Sequence, residues 1–185
     1  MTPRLPPVLS AHDLPLAELQ CAALDGELYP LDSCFCPIDE FDTVHLRARA
    51  LAVVLDNRII AERMTAAWVW AATLNPPNRH ELCVAIGART RPQHGLNAVL
   101  REVVIGPDDI DTGVSVTSRL RTVLDLARFS EPLGAQESAA IATLMRDGGF
   151  GYQDCADALN ARRNLPLKRL ALERLNALKD AASAA

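Results

Sequence analysis

Lysine and aromatic residues are scarce in this sequence. Only two of its 19 basic residues are lysines, Lys168 and Lys179, and aromatic residues make up 4% of the chain. A nuclease site of the restriction-enzyme type needs a lysine two positions after an acidic residue, and neither lysine follows an acid in this way. The sequence also has no nucleophile elbow, phosphate-binding glycine loop or zinc-protease motif. We therefore assign no catalytic residue and expect no enzymatic activity.

Long apolar runs are absent as well. No stretch approaches the roughly 18 apolar residues that a membrane-spanning helix requires, and residues 1–14 lack the apolar centre of a signal peptide. Apolar residues nevertheless make up 49% of the chain, which is enough to form a core. These features predict a cytoplasmic protein without a membrane partner.

The five cysteines do not follow the usual spacing of a zinc site. Cys34 and Cys36 are separated by one residue instead of two, and His12 or His45 would have to complete the ligand set. The alternative is that the cysteines are small, buried apolar residues, and we favour it. An odd number of cysteines without an export signal predicts reduced thiols. We expect no metal and no cofactor.

Charge is distributed unevenly, although the net charge is only −4. Residues 1–45 contain one basic residue, Arg4, and eight acidic residues. A short first helical turn capped by Ser10, a second helix and a hairpin at 27–37 follow in the order helix, helix, wing, and predict a winged-helix-like module over residues 1–42. A helix that reads DNA needs basic or amide side chains in the major groove, and this helix offers only Glu18 and Gln20. DNA recognition by this module is therefore doubtful.

Residues 43–130 carry the pattern of a small mixed α+β domain. Helices are predicted at 43–57 and 65–74, the second capped by Thr65, and strands at 81–86, 99–105 and 114–116. Trp68 and Trp70 lie on different faces of the second helix, so both are buried only if protein covers that helix on two sides. The alternative is an exposed platform on which nucleic acid bases stack.

Residues 115–129 combine a short strand with a capped amphipathic helix. The apolar face of this helix is formed by Leu120, Val123, Leu124 and Ala127. Arg121, Asp125 and Arg128 share one flank, at spacings that allow ion pairs. This flank is either a solvated ion-pair ladder or the wall of a groove in which the arginines hold an anion or a partner carboxylate.

The remaining candidate binding residues are arginines and a lysine in three segments. The polar loop at 87–95 is either a binding loop on a rigid sheet or a plain hairpin connection. Residues 131–185 are predicted to form a helical C-terminal segment, with helices at 135–146 and 152–161 and from residue 166 onward, and they carry a cationic patch. The candidate residues for binding DNA or a protein partner are Arg47, Arg49, Arg89, Arg91, Arg162, Arg163, Lys168 and Arg169.

Several stretches together resemble a known family. They are the winged-helix-like module, the helix with Arg49, Ala50, Leu51 and Ala52, the AAWVWAA helix, the strand HELCVAI and the segment VTSRLRTVLDLAR. Over about residues 8–150 this succession resembles the actinobacterial proteins grouped with the AbiEi antitoxins of type IV toxin–antitoxin systems. The resemblance implies an N-terminal winged helix that binds the operator and represses its own operon. It also implies that the following domain opposes a nucleotidyltransferase toxin.

Two functions follow from these observations. The first is a non-enzymatic, antitoxin-like transcriptional regulator whose partners are duplex operator DNA and a cognate toxin. The second is a degenerate winged-helix module that no longer binds DNA and holds another protein through its acidic face or basic tail. The acid-rich first module departs from what operator binding requires, because phosphate contacts need cations.

Overall fold

The computed structural model describes residues 5–88, 90, 96–111 and 113–183. Within these residues the chain forms an α+β structure with a helical C-terminus, as the sequence predicts. The helices are α1 (Leu16–Leu24), α2 (Val44–Val54), α3 (Arg63–Val69), α4 (Arg119–Phe129), α5 (Ala135–Gly148), α6 (Tyr152–Ala161) and α7 (Lys168–Ser183). The strands are β1 (Leu28–Leu31), β2 (Cys34–Pro37), β3 (Ile60–Ala61), β4 (His80–Ala85), β5 (Ala98–Val103), β6 (Ile110–Asp111) and β7 (Val116–Thr117).

The N-terminal module consists of α1 followed by the β1–β2 hairpin, whereas the predicted order has two helices before the wing. Leu9 forms an isolated antiparallel bridge with Phe35 beside this hairpin. The segment before α1 makes a turn and not a first helix, because the Asp13 carboxylate accepts hydrogen bonds from the backbone N–H and the hydroxyl of Ser10. The module therefore has one helix before its wing.

A five-stranded sheet in the order β5-β4-β3-β7-β6 forms the middle of the molecule. β4 and β5 run parallel in a register from His80 opposite Ala98 to Ala85 opposite Val103. The interpretation of residues 87–95 as a hairpin connection is therefore wrong. About a dozen residues separate the two strands, the length at which a crossover between parallel strands becomes possible.

The helix α3 ends at Val69 and not at the predicted residue 74, and it is buried on two sides, as Trp68 within it and Trp70 directly after it require. Trp68 is fully buried and lies 5.6 Å from the guanidinium carbon of Arg47, measured at the ring centroid. Trp70 is also buried and donates a hydrogen bond from its indole nitrogen to the backbone oxygen of Thr117 (2.9 Å). The prediction that protein covers both faces is confirmed, and the stacking platform is wrong because neither ring is exposed.

The prediction that Thr65 caps this helix is wrong. α3 begins at Arg63, two residues earlier, and its cap position is Glu62. The Thr65 hydroxyl instead accepts a hydrogen bond from the backbone N–H of Glu81 (2.8 Å) and so joins α3 to β4. A threonine hydroxyl can accept a hydrogen bond from a backbone N–H group close to it. Here the N–H group belongs to β4 and not to the first turn of the helix.

α4 and the C-terminal helices complete the core. Ser118 caps α4 by accepting a hydrogen bond from the backbone N–H of Arg121 (3.3 Å). The last helix begins at Lys168 instead of Pro166, and Arg174 on it donates to the backbone oxygen of Ala127 (3.0 Å). No helix within the described ranges is both long and apolar enough to cross a membrane.

Candidate functional site

The polar flank of α4 forms the ion pairs that its spacing predicts. Arg121 Nε lies 2.8 Å from Asp125 Oδ2, and Arg128 Nη1 lies 2.9 Å from Asp125 Oδ1. All three residues are buried, since the most exposed of them, Arg121, keeps 7% of its surface accessible. The interpretation of this flank as a solvated ladder is therefore wrong, because other parts of the chain cover it.

Asp109, in the turn before β6, is the second carboxylate of this network. Its Oδ2 accepts hydrogen bonds from Arg121 Nη1 (2.5 Å) and the backbone N–H of Gly106 (2.8 Å), and its Oδ1 accepts one from Arg162. Burial acts to raise the pKa of Asp109, but these hydrogen bonds and the two guanidinium charges together lower it. Asp109 thus joins α4 to the residue that follows α6.

Glu62, directly before α3, is the third carboxylate and is completely buried. Arg101 on β5 holds it with a two-point contact, Nε at 2.6 Å and Nη2 at 2.5 Å. Arg63 Nε lies 3.5 Å from the same group. Glu62 is not among the candidate residues that the sequence predicts. The sequence feature that could have identified it is its position directly after the apolar run Ile59-Ile60-Ala61. A carboxylate next to a buried strand is itself buried only when a cation pairs with it.

Arginines of this network and Asp109 line a groove of about 720 Å³ between β5, α4 and the segment that joins α6 to α7. We call it the arginine groove, and its basic residues are Arg101, Arg121, Arg128, Arg162 and Arg163. The guanidinium carbons of Arg101 and Arg128 each lie 4.4 Å from the centroid of the Phe129 ring. Such contacts favour a cation next to the face of an aromatic ring.

Arg47, a predicted binding residue, is not available to a partner. It is buried and pairs with Asp42 through Nε (2.7 Å) and Nη2 (2.6 Å). Its Nη1 donates to the backbone oxygens of Trp68 (2.6 Å) and Thr73 (2.8 Å). The assignment of Arg47 to DNA or partner binding is therefore wrong, because its donors are used inside the fold.

The other predicted cations are in different situations. Arg49 is exposed on α2, whereas Arg89 and Arg91 lie outside the described residues. In the tail, Arg162 is tied to Asp109, and Lys168 Nζ lies 3.4 Å from the backbone oxygen of Asn160. Arg163 and Arg169 are exposed, and Arg169 pairs with Glu173 at 3.4 Å. The cationic patch of the sequence is thus divided between the arginine groove and the outer face of α7.

The N-terminal module exposes both apolar and acidic side chains. We call this the acidic–apolar surface, formed by Leu16, Glu18, Leu24, Asp25, Glu27, Ile38, Asp39 and Phe41, all of them exposed. Leu19 is the only fully buried residue of α1, so one face of this helix packs inward and the rest is accessible. No lysine or arginine occurs in residues 5–46.

Cys34 and Cys36 lie in the β2 strand and are buried, as we expected of small apolar residues, and so are Cys83 and Cys155, but the expectation is wrong for Cys21, which is exposed. The Cys34 thiol donates to the backbone oxygen of Ala50 (3.5 Å), and burial raises the pKa of the Cys34 and Cys36 thiols to about 11. His12 and His45 are both exposed. Among the described residues, no group of three histidine, cysteine or acidic side chains is placed to hold a metal ion.

Comparison of this chain with known proteins identifies no family. No protein-family model matches the chain, and a search of curated proteins gives no significant match. Among solved structures, the crystal structure of the RV2827C protein from Mycobacterium tuberculosis aligns with 94% of this chain and 75% of its own, at a TM-score of 0.37 and 14% identity. A similarity of this size carries no argument about function.

Proposed function

We propose that this protein is a non-enzymatic, antitoxin-like cytoplasmic protein whose N-terminal module holds another protein. The observation that carries the proposal is the accessible side of α1, where Leu16 and Leu24 lie on the same helix as Glu18. This is the helix that would read bases in a DNA-binding module. Its exposed residues are suited to an apolar contact with a basic rim and not to a phosphate backbone.

The charge of the module disfavours DNA at this surface. Non-specific affinity for a duplex comes from lysine and arginine contacts to phosphates, and the described part of the module contains neither residue. Arg47, the first arginine after it, is buried against Asp42 and two backbone oxygens. The exposed carboxylates of Glu18 and Asp25 would repel a duplex that approached α1.

The exposed apolar residues favour a protein partner. Leu24, Ile38 and Phe41 have 87%, 64% and 84% of their surface accessible, which leaves large apolar side chains in water. Exposed apolar groups within a polar rim are typical of protein-binding surfaces. The rim here is acidic, so the partner that fits is a protein with a basic surface around an apolar centre.

A regulator that binds operator DNA remains the second candidate. It is supported by Arg49, Arg163 and Arg169, which keep their side chains exposed outside the N-terminal module. In this case the affinity for duplex DNA decreases as the salt concentration rises. It decreases further after Arg89→Ala and Arg91→Ala, because a chain with fewer arginines at the phosphates releases fewer counterions from the DNA.

The test uses the full chain and the protein encoded next to it, which the family resemblance implies to be a nucleotidyltransferase toxin. The resemblance assigns the toxin to the domain after the N-terminal module, whereas this proposal assigns it to the module itself. Affinity is measured by calorimetry for the unmodified chain, Leu24→Arg and Leu74→Arg. Leu24 and Leu74 are both 87% exposed, so the control places the same charge in an equally accessible position outside the module. We expect Leu24→Arg to weaken binding about tenfold or more, because a charge replaces an apolar contact, and Leu74→Arg to have no effect.

The same variants are tested in parallel by an electrophoretic shift of the protein's own upstream DNA at low salt. We expect no sequence-specific shift. A specific shift that Leu24→Arg leaves unchanged, with no protein complex in the calorimeter, would contradict the proposal and favour the second candidate.

A further inference from the structure

We infer that the arginine groove binds a small organic phosphate, with the phosphate held by Arg101, Arg162 and Arg163 and the apolar part of the ligand against Phe129. This inference does not depend on what the N-terminal module binds. It rests on the donors that the charge network leaves over, on the lining of the groove and on its size.

The carboxylates of the network already have arginine partners. Glu62 is held by Arg101, Asp125 by Arg121 and Arg128, and Asp109 by Arg121 and Arg162. Glu102 also lines the groove, and its side chain is exposed. It directly follows Arg101 on β5, so the alternation of a strand places its side chain on the opposite face of β5 from the guanidinium group of Arg101.

Three arginines of the groove keep unused donors. Arg101 uses Nε and Nη2 on Glu62, and Arg162 uses Nη2 on Asp109, so no described residue accepts from Nη1 of Arg101 or from Nε and Nη1 of Arg162. Arg163 is exposed and makes no ion pair or side-chain hydrogen bond with any residue that the structure describes. These donors come from β5 and from the end of α6, on two sides of the groove.

Cations are crowded at this position. Burial lowers the pKa of Arg128, and the neighbouring guanidinium groups of Arg121 and Arg101 lower it further, against the opposing effect of Asp125. A bound anion would relieve this repulsion. Guanidinium groups bind phosphate and carboxylate through paired N–H donors, so the ligand is an oxyanion.

The lining and the volume of the groove define the rest of the ligand. Its apolar lining includes Phe129, Val103, Leu165 and Pro166 beside the arginines. A volume of about 720 Å³ lies within the range of small-molecule sites. We assign a phosphate in preference to a carboxylate because the unused donors belong to three side chains, and a phosphate presents three oxygen atoms where a carboxylate presents two.

The experiment uses the full chain and phenyl phosphate as the probe, with binding measured by calorimetry and by amide shifts in NMR spectra. We expect saturable binding with a dissociation constant at or below about 1 mM at low salt, with shifts at Gly106 and Asn164. Inorganic phosphate is expected to bind more weakly, because it lacks the apolar part. No saturable binding of phenyl phosphate would overturn the inference, and so would equally tight binding of benzoate.

Arg163→Ala is the diagnostic variant, since it is exposed and unpaired among the described residues and its loss leaves the buried network intact. We expect it to weaken phenyl phosphate binding about tenfold, which corresponds to about 1.4 kcal/mol. Arg169→Ala removes the same charge from an exposed position outside the groove and is expected to change affinity less than about twofold. Equal effects of the two variants would assign binding to general surface charge and overturn the inference.

Discussion

Asp125 is the residue on which the burial of two α4 arginines depends. Each of its carboxylate oxygens accepts a hydrogen bond from one of them, Arg121 at 2.8 Å and Arg128 at 2.9 Å. A buried ion pair is not in itself a large source of stability, because desolvation offsets much of the attraction. Removing one partner is costly, however, because the remaining charge stays buried without compensation.

Asp125→Asn should therefore lower the free energy of unfolding by about 3–5 kcal/mol, measured by urea denaturation. The amide keeps the shape of the side chain but leaves two buried guanidinium groups without their shared negative charge. Asp147→Asn is the control, because its pair with Arg146 is largely exposed and should change stability by less than about 0.5 kcal/mol. Similar losses in both variants would contradict the central position of Asp125.

The sequence is informative about single residues where the partner is local. Arg121, Asp125 and Arg128 stand three or four positions apart, so their ion pairs follow from the helical repeat. The rest of the charge network does not follow from the helical repeat, because its other partners are distant in the sequence. Asp109 is 12 positions from Arg121, and Glu62 is 39 positions from Arg101. Such distant partners depend on the order of the strands, which a single sequence leaves open.

At the scale of elements, Arg47 joins α2 to α3. Its Nη1 atom donates to the backbone oxygens of Trp68 and Thr73 near the end of α3, while Nε and Nη2 donate to the Asp42 carboxylate. The backbone oxygen of Trp68 also accepts a hydrogen bond from the N–H of Ala71 (2.9 Å), so Arg47 adds a second donor to that carbonyl and ties the segment after α3 to α2. The planar guanidinium group, with its donors in fixed directions, is needed to reach Asp42, Trp68 and Thr73 at the same time.

Arg47→Lys should lower the free energy of unfolding by about 2–3 kcal/mol in urea denaturation, because lysine keeps the charge but cannot make the same set of hydrogen bonds. Arg49→Lys is the matched control on the same helix, where the side chain is exposed, and should have an effect below about 0.5 kcal/mol. If both variants were equally stable, the hydrogen bonds of Arg47 would contribute nothing beyond its charge.

Elements with strong local signals could be predicted, and their pairing could not. The helix after Val116 and the tryptophan helix have the periodicity and apolar content that identify them. The parallel pairing of β4 and β5 has no local signature, because two short apolar strands with a polar loop between them also suit a hairpin. The arginine groove depends on this pairing, since Arg101 lies on β5.

At the scale of the whole molecule, a polar contact between the β1–β2 hairpin and β4 joins the N-terminal module to the sheet. His80 Nε2 on β4 lies 3.2 Å from Oδ1 of Asp32, in the turn of the β1–β2 hairpin, and both side chains are largely buried. Burial acts to raise the pKa of Asp32, but the hydrogen bond and charge of His80, together with Ser33, lower it overall. Acid that protonates Asp32 therefore weakens this contact, while Leu31, Cys34 and Cys36 of the hairpin stay packed in the main apolar core.

Asp32→Asn should destabilise the protein near neutral pH, by an amount that decreases in acid. A carboxyl group with a lower pKa in the folded state stabilises that state above its unfolded pKa and loses this contribution as the pH falls through the folded value. The difference in free energy of unfolding between the two proteins should thus begin to shrink as the pH falls towards the ordinary value of 3.8 and continue to shrink below it. Asparagine tolerates the positive φ of 56° at this position, so the turn itself is kept. Urea denaturation at a series of pH values measures the difference, with the exposed Asp39→Asn as a control. A difference that stays constant or grows in acid would show that Asp32 acts through the shape of the turn and not through its charge.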